Sequence, residues 1–187
     1  MKKTLMIMLA LVLVIAMSVT GTLAYLTSND SVTNTFTVGK VEITLDEAKV
    51  TEYGVKDGDT RVDANTYKLI PGHNYLKDPV VHFQPDSEAS YLFIKVENGI
   101  ANIEADTKIA AQIVANGWTA YSVAGVYYKE VDANTSDKAV DYPVFGEFTI
   151  ADEADVSEYA GATIIVTAYA VQHDGLTVDE AWAAANP

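Results

Sequence analysis

The sequence predicts a mainly β protein, an antiparallel β-sandwich carrying one or two short helices. Two observations predict it. Short runs with apolar residues at every second position recur along the chain, as half-buried strands require. Between them stand Asp-Gly, Gly-Asp, Pro-Gly and proline steps that favour turns.

The chain opens differently. Lys2 and Lys3 precede a run that is apolar from Leu5 to Val19 with only Ser18 interrupting, and small residues follow. That order describes a secretory signal-peptide helix, and the run is shorter than the roughly 20 apolar residues that span a bilayer. Thr22 and Ala24 occupy the minus-three and minus-one places, which puts the cut before Tyr25. The alternative is an uncleaved membrane anchor. The division expected is therefore a signal peptide over 1–24, an N-terminal segment over 25–45, and a sandwich domain over 46–187.

From Phe36 the pattern is period two. Phe36 and Val38 share one parity, while Val41, Ile43 and Leu45 share the other, so a bulge is expected at Gly39-Lys40. Residues 46–66 are polar and read as turns. Tyr67–Ile70, Val80–Phe83 and Tyr91–Glu97 read as strands, the last with Leu92, Ile94 and Val96 facing inward. Asp106–Asn116 reads as a helix, capped by Asp106, with Ile109, Ala110, Ile113 and Val114 as its apolar stripe and Gly117 as its stop. Strands resume near 118–123, 126–131 and 144–150, and residues 152–159 can form one acidic helical turn. Ala162–Gln172 has apolar residues on both parities, the pattern of a central strand covered on both faces. Thr177-Val178-Asp179-Glu180 is a capping box, flanked by Leu176 and Ala181 as its staple, and opens a last helix.

Composition narrows the chemistry. There are 12 basic and 26 acidic residues, and removing 1–24 takes away Lys2 and Lys3 but no acid, leaving 10 against 26. Such a surface repels nucleic acid and anionic membranes. The remaining chain of about 163 residues has room for a core and has no cysteine, so packing and hydrogen bonds alone must hold it. The histidines are His73, His82 and His173, and none stands in a His-Glu-x-x-His run. They form a zinc site only if the fold brings them together. Asp57-Gly58-Asp59 with Asp63 and Asn65 lacks the spacing of a calcium loop. No serine sits in a Gly-x-Ser-x-Gly elbow. Tyr91, Phe93, Tyr121, Tyr127, Tyr128 and Tyr169 are either a stacking platform for sugar or cross-strand partners inside the sheet. No catalytic residue, metal ligand or cofactor site is expected.

Gly21, Thr22, Ala24 and Tyr25, then the polar Thr27 to Asp30, then Asn34, Phe36 and Gly39 form one block. That block resembles the start of the TasA/camelysin family with its SipW-type signal peptide. The resemblance implies a dedicated SipW-type signal peptidase as a partner, with membrane association only before cleavage. It also implies export from a Gram-positive-type cell and a jelly-roll-like sandwich that assembles into biofilm matrix fibres. In that reading Asn34, Phe36, Val38, Val41, Ile43 and Leu45 form a candidate donor strand that completes the sheet of a neighbouring subunit. Camelysin relatives have been described as metallopeptidases, but no zinc motif here supports carrying that activity over. The expected function is thus a secreted, non-enzymatic structural protein of the extracellular matrix or cell surface. The alternatives are a camelysin-type metalloprotease and a surface accessory domain that binds a partner or carbohydrate.

Overall fold

The computed structural model describes residues 39–185, which form a mainly β domain of antiparallel sheets with two short helices. The cleavage residues Thr22, Ala24 and Tyr25 lie outside the described residues, as do Asn34, Phe36 and Val38.

The first sheet has the order β2-β1-β4-β8, from β1 (Ile43–Val50), β2 (Lys56–Val62), β4 (Val80–Phe83) and β8 (Val140–Pro143). The second has the order β10-β5-β7-β6, from β5 (Ser90–Asn98), β6 (Thr119–Ala120), β7 (Val126–Val131) and β10 (Ile164–Gln172). A small ribbon pairs β3 (Asn74–Leu76) with β9 (Glu147–Thr149). Side chains alternate across a strand, so Val81 and Phe83 of β4 and Leu92 and Ile94 of β5 enter the core between the sheets, all fully buried. Tyr75, Trp118, Phe145, Phe148 and Ile150 fill the rest of that core.

The opposite parity of β5 builds a second, smaller core. Phe93 is fully buried there, beneath Ala181 and Trp182 of α2 (Val178–Ala185). The capping box at the start of α2 forms as the residues imply: Glu180 N–H donates to Thr177 Oγ1 at 3.3 Å, and Thr177 N–H donates to Glu180 Oε2 at 2.9 Å. Leu176 and Ala181 both belong to this cluster.

Several local expectations change. Residues 46–66 are not a run of turns: β1 continues to Val50, and β2 returns along it as a hairpin. Glu47, Ala48 and Val50 are buried, so tertiary packing overrides their polar sequence context. β1 also crosses the 45/46 boundary, which joins Ile43 and Leu45 to the domain. Tyr67–Ile70 forms no strand, because a side chain does the bonding: Ile70 N–H donates to Tyr75 Oη at 2.8 Å, and Tyr75 Oη donates to Lys68 C=O at 2.6 Å. The helix α1 spans only Ile109–Ala115, and Lys108, not Asp106, is its N-cap residue. Glu104 Oε1 accepts from Ile109 N–H at 3.4 Å and takes part of the capping role. The apolar stripe of α1 narrows to buried Ile109 and Ile113, while Val114 is 54% exposed. Around 144–150, only Glu147–Thr149 is strand, although Val144 and Phe145 are buried.

One hairpin glycine shows how tightly the turn is built. Gly54 has φ +68°, and a Cβ there would lie 2.6 Å from the Tyr75 Cα. Gly58 has φ +80° with open space around it. Both Gly54→Ala and Gly58→Ala carry the left-handed penalty of about 1–2 kcal/mol, but only the first adds a backbone clash. Urea unfolding is expected to find Gly54→Ala less stable than Gly58→Ala by about 1–3 kcal/mol.

Candidate functional site

β10 has the sequence of a central strand and the position of an edge. Its nine residues pair with β5 along their whole length, and it has no second neighbour among the described residues. The expectation of a central strand is thus corrected, while both faces are partly covered as expected: Ile164, Val166, Ala168 and Ala170 pack on the main core and Tyr169 and Val171 on the second, with one edge open. Gly99 N–H donates to Thr163 C=O and His173 N–H donates to Ala89 C=O, both at 2.8 Å. Antiparallel bonding alternates along a strand, so the odd-numbered residues turn their backbone toward β5. The N–H and C=O groups of Ile164, Val166, Ala168 and Ala170 therefore point away from it.

β1 shows the same pattern on the other sheet. Gln84 N–H donates to Glu42 C=O at 2.9 Å, which turns the backbone of Thr44 and Asp46 toward β4 and that of Ile43 and Leu45 away. β2 pairs with β1 only from Glu47 onward, so it does not cover them. Between β1 and β10 lies a groove of about 680 Å³. Leu45, Tyr67, Leu69, Ile100, Phe148, Ile164 and Val166 supply its apolar wall.

A buried polar group is set into the same wall. Lys77 Nζ pairs with Glu47 Oε2, and both residues are under one-tenth exposed. Asn65 Nδ2 donates to Glu47 Oε1 at 2.9 Å and to Ala48 C=O at 2.9 Å, while its Oδ1 accepts from Val50 N–H at 2.9 Å. Tyr67 lies alongside with Lys77 Nζ 6.0 Å from its ring, and its hydroxyl donates to Leu76 C=O at 3.1 Å. Burial, with the negative charges of Glu47 and Asp78, raises the Tyr67 phenol far above its ordinary value and keeps it neutral.

The remaining edges are protected in ways that β10 is not. β2 carries Lys56, Asp57, Asp59 and Arg61 along its exposed length. β8 ends in Pro143, whose C=O accepts from Trp118 Nε1 at 2.8 Å. Lys129 Nζ lies 5.4 Å from the Trp118 ring and 5.5 Å from that of Tyr142, closing this side of the sandwich. β10 has neither charge nor proline, and Ile165 is 46% exposed. Natural sheets usually blunt such an edge because it templates further pairing.

The other candidates disperse. His73 Nε2 meets Tyr53 C=O at 2.9 Å, His82 lies between Asp46 and Asp141, and His173 pairs with Glu130 at 2.9 Å. Among the described residues, no three His, Asp or Glu side chains are grouped to hold a metal ion. Asp57 pairs with Lys49 and Asp59 with Lys56, both along the edge strand. The aromatic set is cross-strand packing: Phe93 stands opposite both Tyr128 and Tyr169, and Trp182 lies 5.3 Å from Phe93 and 5.6 Å from Tyr169.

Of the six candidate donor residues, Ile43 and Leu45 lie in β1, paired with Phe83 and Val81, and Val41 precedes it as a half-buried residue. The chain enters the described region at Gly39, beside the far end of β10. A Cβ on Gly39 would lie 3.4 Å from Gln172 Oε1 and 3.0 Å from Glu88 Cγ. Sequence reasoning missed β10 as the open edge because neighbours are not encoded in a strand's own alternation; the absence of charge was the available signal.

No protein-family model, curated protein or solved structure matches the chain.

Proposed function

We propose that this chain is a secreted structural protein of the TasA/camelysin type, which associates with further copies by adding a strand at the β10 edge. The observation that carries the reading is the mismatch in β10: a long, uncharged strand has one edge without a neighbour among the described residues, its outward backbone groups lying beside an apolar groove. Strand addition satisfies those groups and covers the half-exposed inner side chains together.

The segment best suited to add is the chain's own Ser31–Val38. These eight residues carry no charge in a chain with 38 charged side chains, and they include the β-branched and aromatic types that strands favour. At roughly 3.3 Å per residue, eight residues run nearly the length of nine-residue β10. Phe36 and Val38 share a parity, so an added strand would present both side chains on one face. Because Ile43 and Leu45 hold β1 in place within their own domain, the donor in this reading ends before Gly39. Cleavage before Tyr25 would release it for exchange.

Negative-stain electron microscopy tests this on protein beginning at Tyr25 and on protein beginning at Gly39. Filaments are expected from the first alone. Monomer-sized particles in both would sink the reading, and filaments in both would remove the N-terminal segment from it.

A further inference from the structure

A row of alternating charges crosses the outer face of the first sheet. Arg61 of β2 holds the Asp46 carboxylate of β1 and reaches Asp78 Oδ2 at 3.3 Å in the segment before β4. Asp46 Oδ1 also meets His82 Nε2 of β4 at 2.9 Å, and His82 Nδ1 meets Asp141 Oδ1 of β8 at 2.6 Å. Asp46 and Asp141 are the charged groups that meet His82, and Arg61 links Asp46 onward to Asp78, so the four strands are tied side chain to side chain across their width.

The geometry demands a charged imidazole. A neutral ring has one N–H, and its other nitrogen is an acceptor. Here both nitrogens face carboxylates, so a neutral ring would set a lone pair against a negative oxygen. The His82 side chain is 17% exposed, which leaves little water to relieve that clash.

We propose that His82 is a pH-sensitive staple: charged, it binds β1 and β8 to β4, and on losing its proton it releases Asp141 and loosens the edge strand β8. Asp141 is the partner that leaves because its side chain is 62% exposed and water can replace the ring. Asp46 is 28% exposed and stays held by Arg61.

Burial works against the His82 imidazolium, yet the hydrogen bonds and charges of Asp46 and Asp141 together outweigh it and raise its pKa above 6.5. Burial likewise disfavours the Asp46 carboxylate, and Arg61 and His82 outweigh it, holding its pKa below 3.8. A raised histidine stabilises the fold fully below its unfolded value, and that stabilisation disappears as pH rises through the folded one. A lowered aspartate stabilises above its unfolded value, and the effect disappears as pH falls through the folded one. The Asp46–His82 pair is therefore intact between a point below pH 3.8 and a point above pH 6.5.

The test is an NMR titration of the imidazoles in protein beginning at Tyr25, with the His82 signal assigned by its absence in His82→Gln. The His82 midpoint is expected above 6.5 and lower in Asp141→Asn, which keeps the shape of the partner and removes its charge. Hydrogen-exchange protection factors of Val140 and Tyr142, whose N–H groups face β4, are expected to fall between pH 6 and pH 9. Should His82→Gln fail to fold, the signal moved by Asp141→Asn gives the assignment. A midpoint at or below 6.5, or equal protection at both pH values, overturns the staple.

Discussion

Replacing Trp118 by alanine is expected to cost about 3–5 kcal/mol, the range for removing a buried aromatic side chain. The loss falls at the point where the two sheets are closed together. Trp118 is 1% exposed and immediately precedes β6 of the second sheet, while its indole N–H bonds Pro143 of the first. Removing it opens a cavity, orphans the Pro143 carbonyl and takes away the ring facing Lys129. Domains of this size are commonly stable by only 5–15 kcal/mol, so the variant is expected to be partly unfolded at 37 °C. Trp118→Phe separates the contributions. It keeps most of the apolar volume and loses the hydrogen bond, which is worth about 0.5–1.5 kcal/mol. Urea midpoints for the two variants check this, and equal losses would mean that the indole N–H, not the packing, closes the sandwich.

Lys77→Met is expected to destabilise the domain by a similar amount, about 3–5 kcal/mol, for a different reason. Glu47 is 3% exposed, and the substitution leaves its charge buried with only the Asn65 amide opposite it. The double variant Glu47→Gln with Lys77→Met should recover most of the loss. Glutamine keeps an oxygen for Asn65 and carries no charge that needs a partner. A double-mutant cycle by chemical denaturation measures the coupling directly. If the double variant is no more stable than Lys77→Met alone, the lysine acts by filling space and not by neutralising Glu47.

The parts of the fold that were legible in the sequence are those governed by short-range periodicity. Val80–Phe83, Tyr91–Glu97 and the Thr177–Glu180 box each carry their structure in neighbouring residues, and each forms as its pattern implies. Illegible parts depend on partners far along the chain. The β2 strand contains Asp57-Gly58-Asp59, a turn signal that survives as an irregularity between the pairs Val50–Lys56 and Ala48–Arg61, with Gly58 at φ +80°, while β1 holds the strand on either side of it. β8 lies between polar residues and becomes a strand only because β4 lies beside it. The candidate groove was hidden for the same reason. Leu45 and Ile164 stand 119 positions apart in sequence, and only the pairing of each with its own sheet leaves both along one opening. The histidines illustrate the converse, since their separation in sequence left open a convergence that the fold does not make.

The unequal edges of the domain set a valence. β2 is charged along its length, β6 is two residues long, and β8 closes against Trp118. Among the described residues, β10 alone remains as a long uncharged edge, so the described domain offers a single such place to an incoming strand. A receptor with one such place cannot branch or cross-link by backbone pairing. Titration with an uncharged strand-forming peptide would accordingly saturate at one equivalent. Any larger order built through that edge must be linear, with chemically distinct ends.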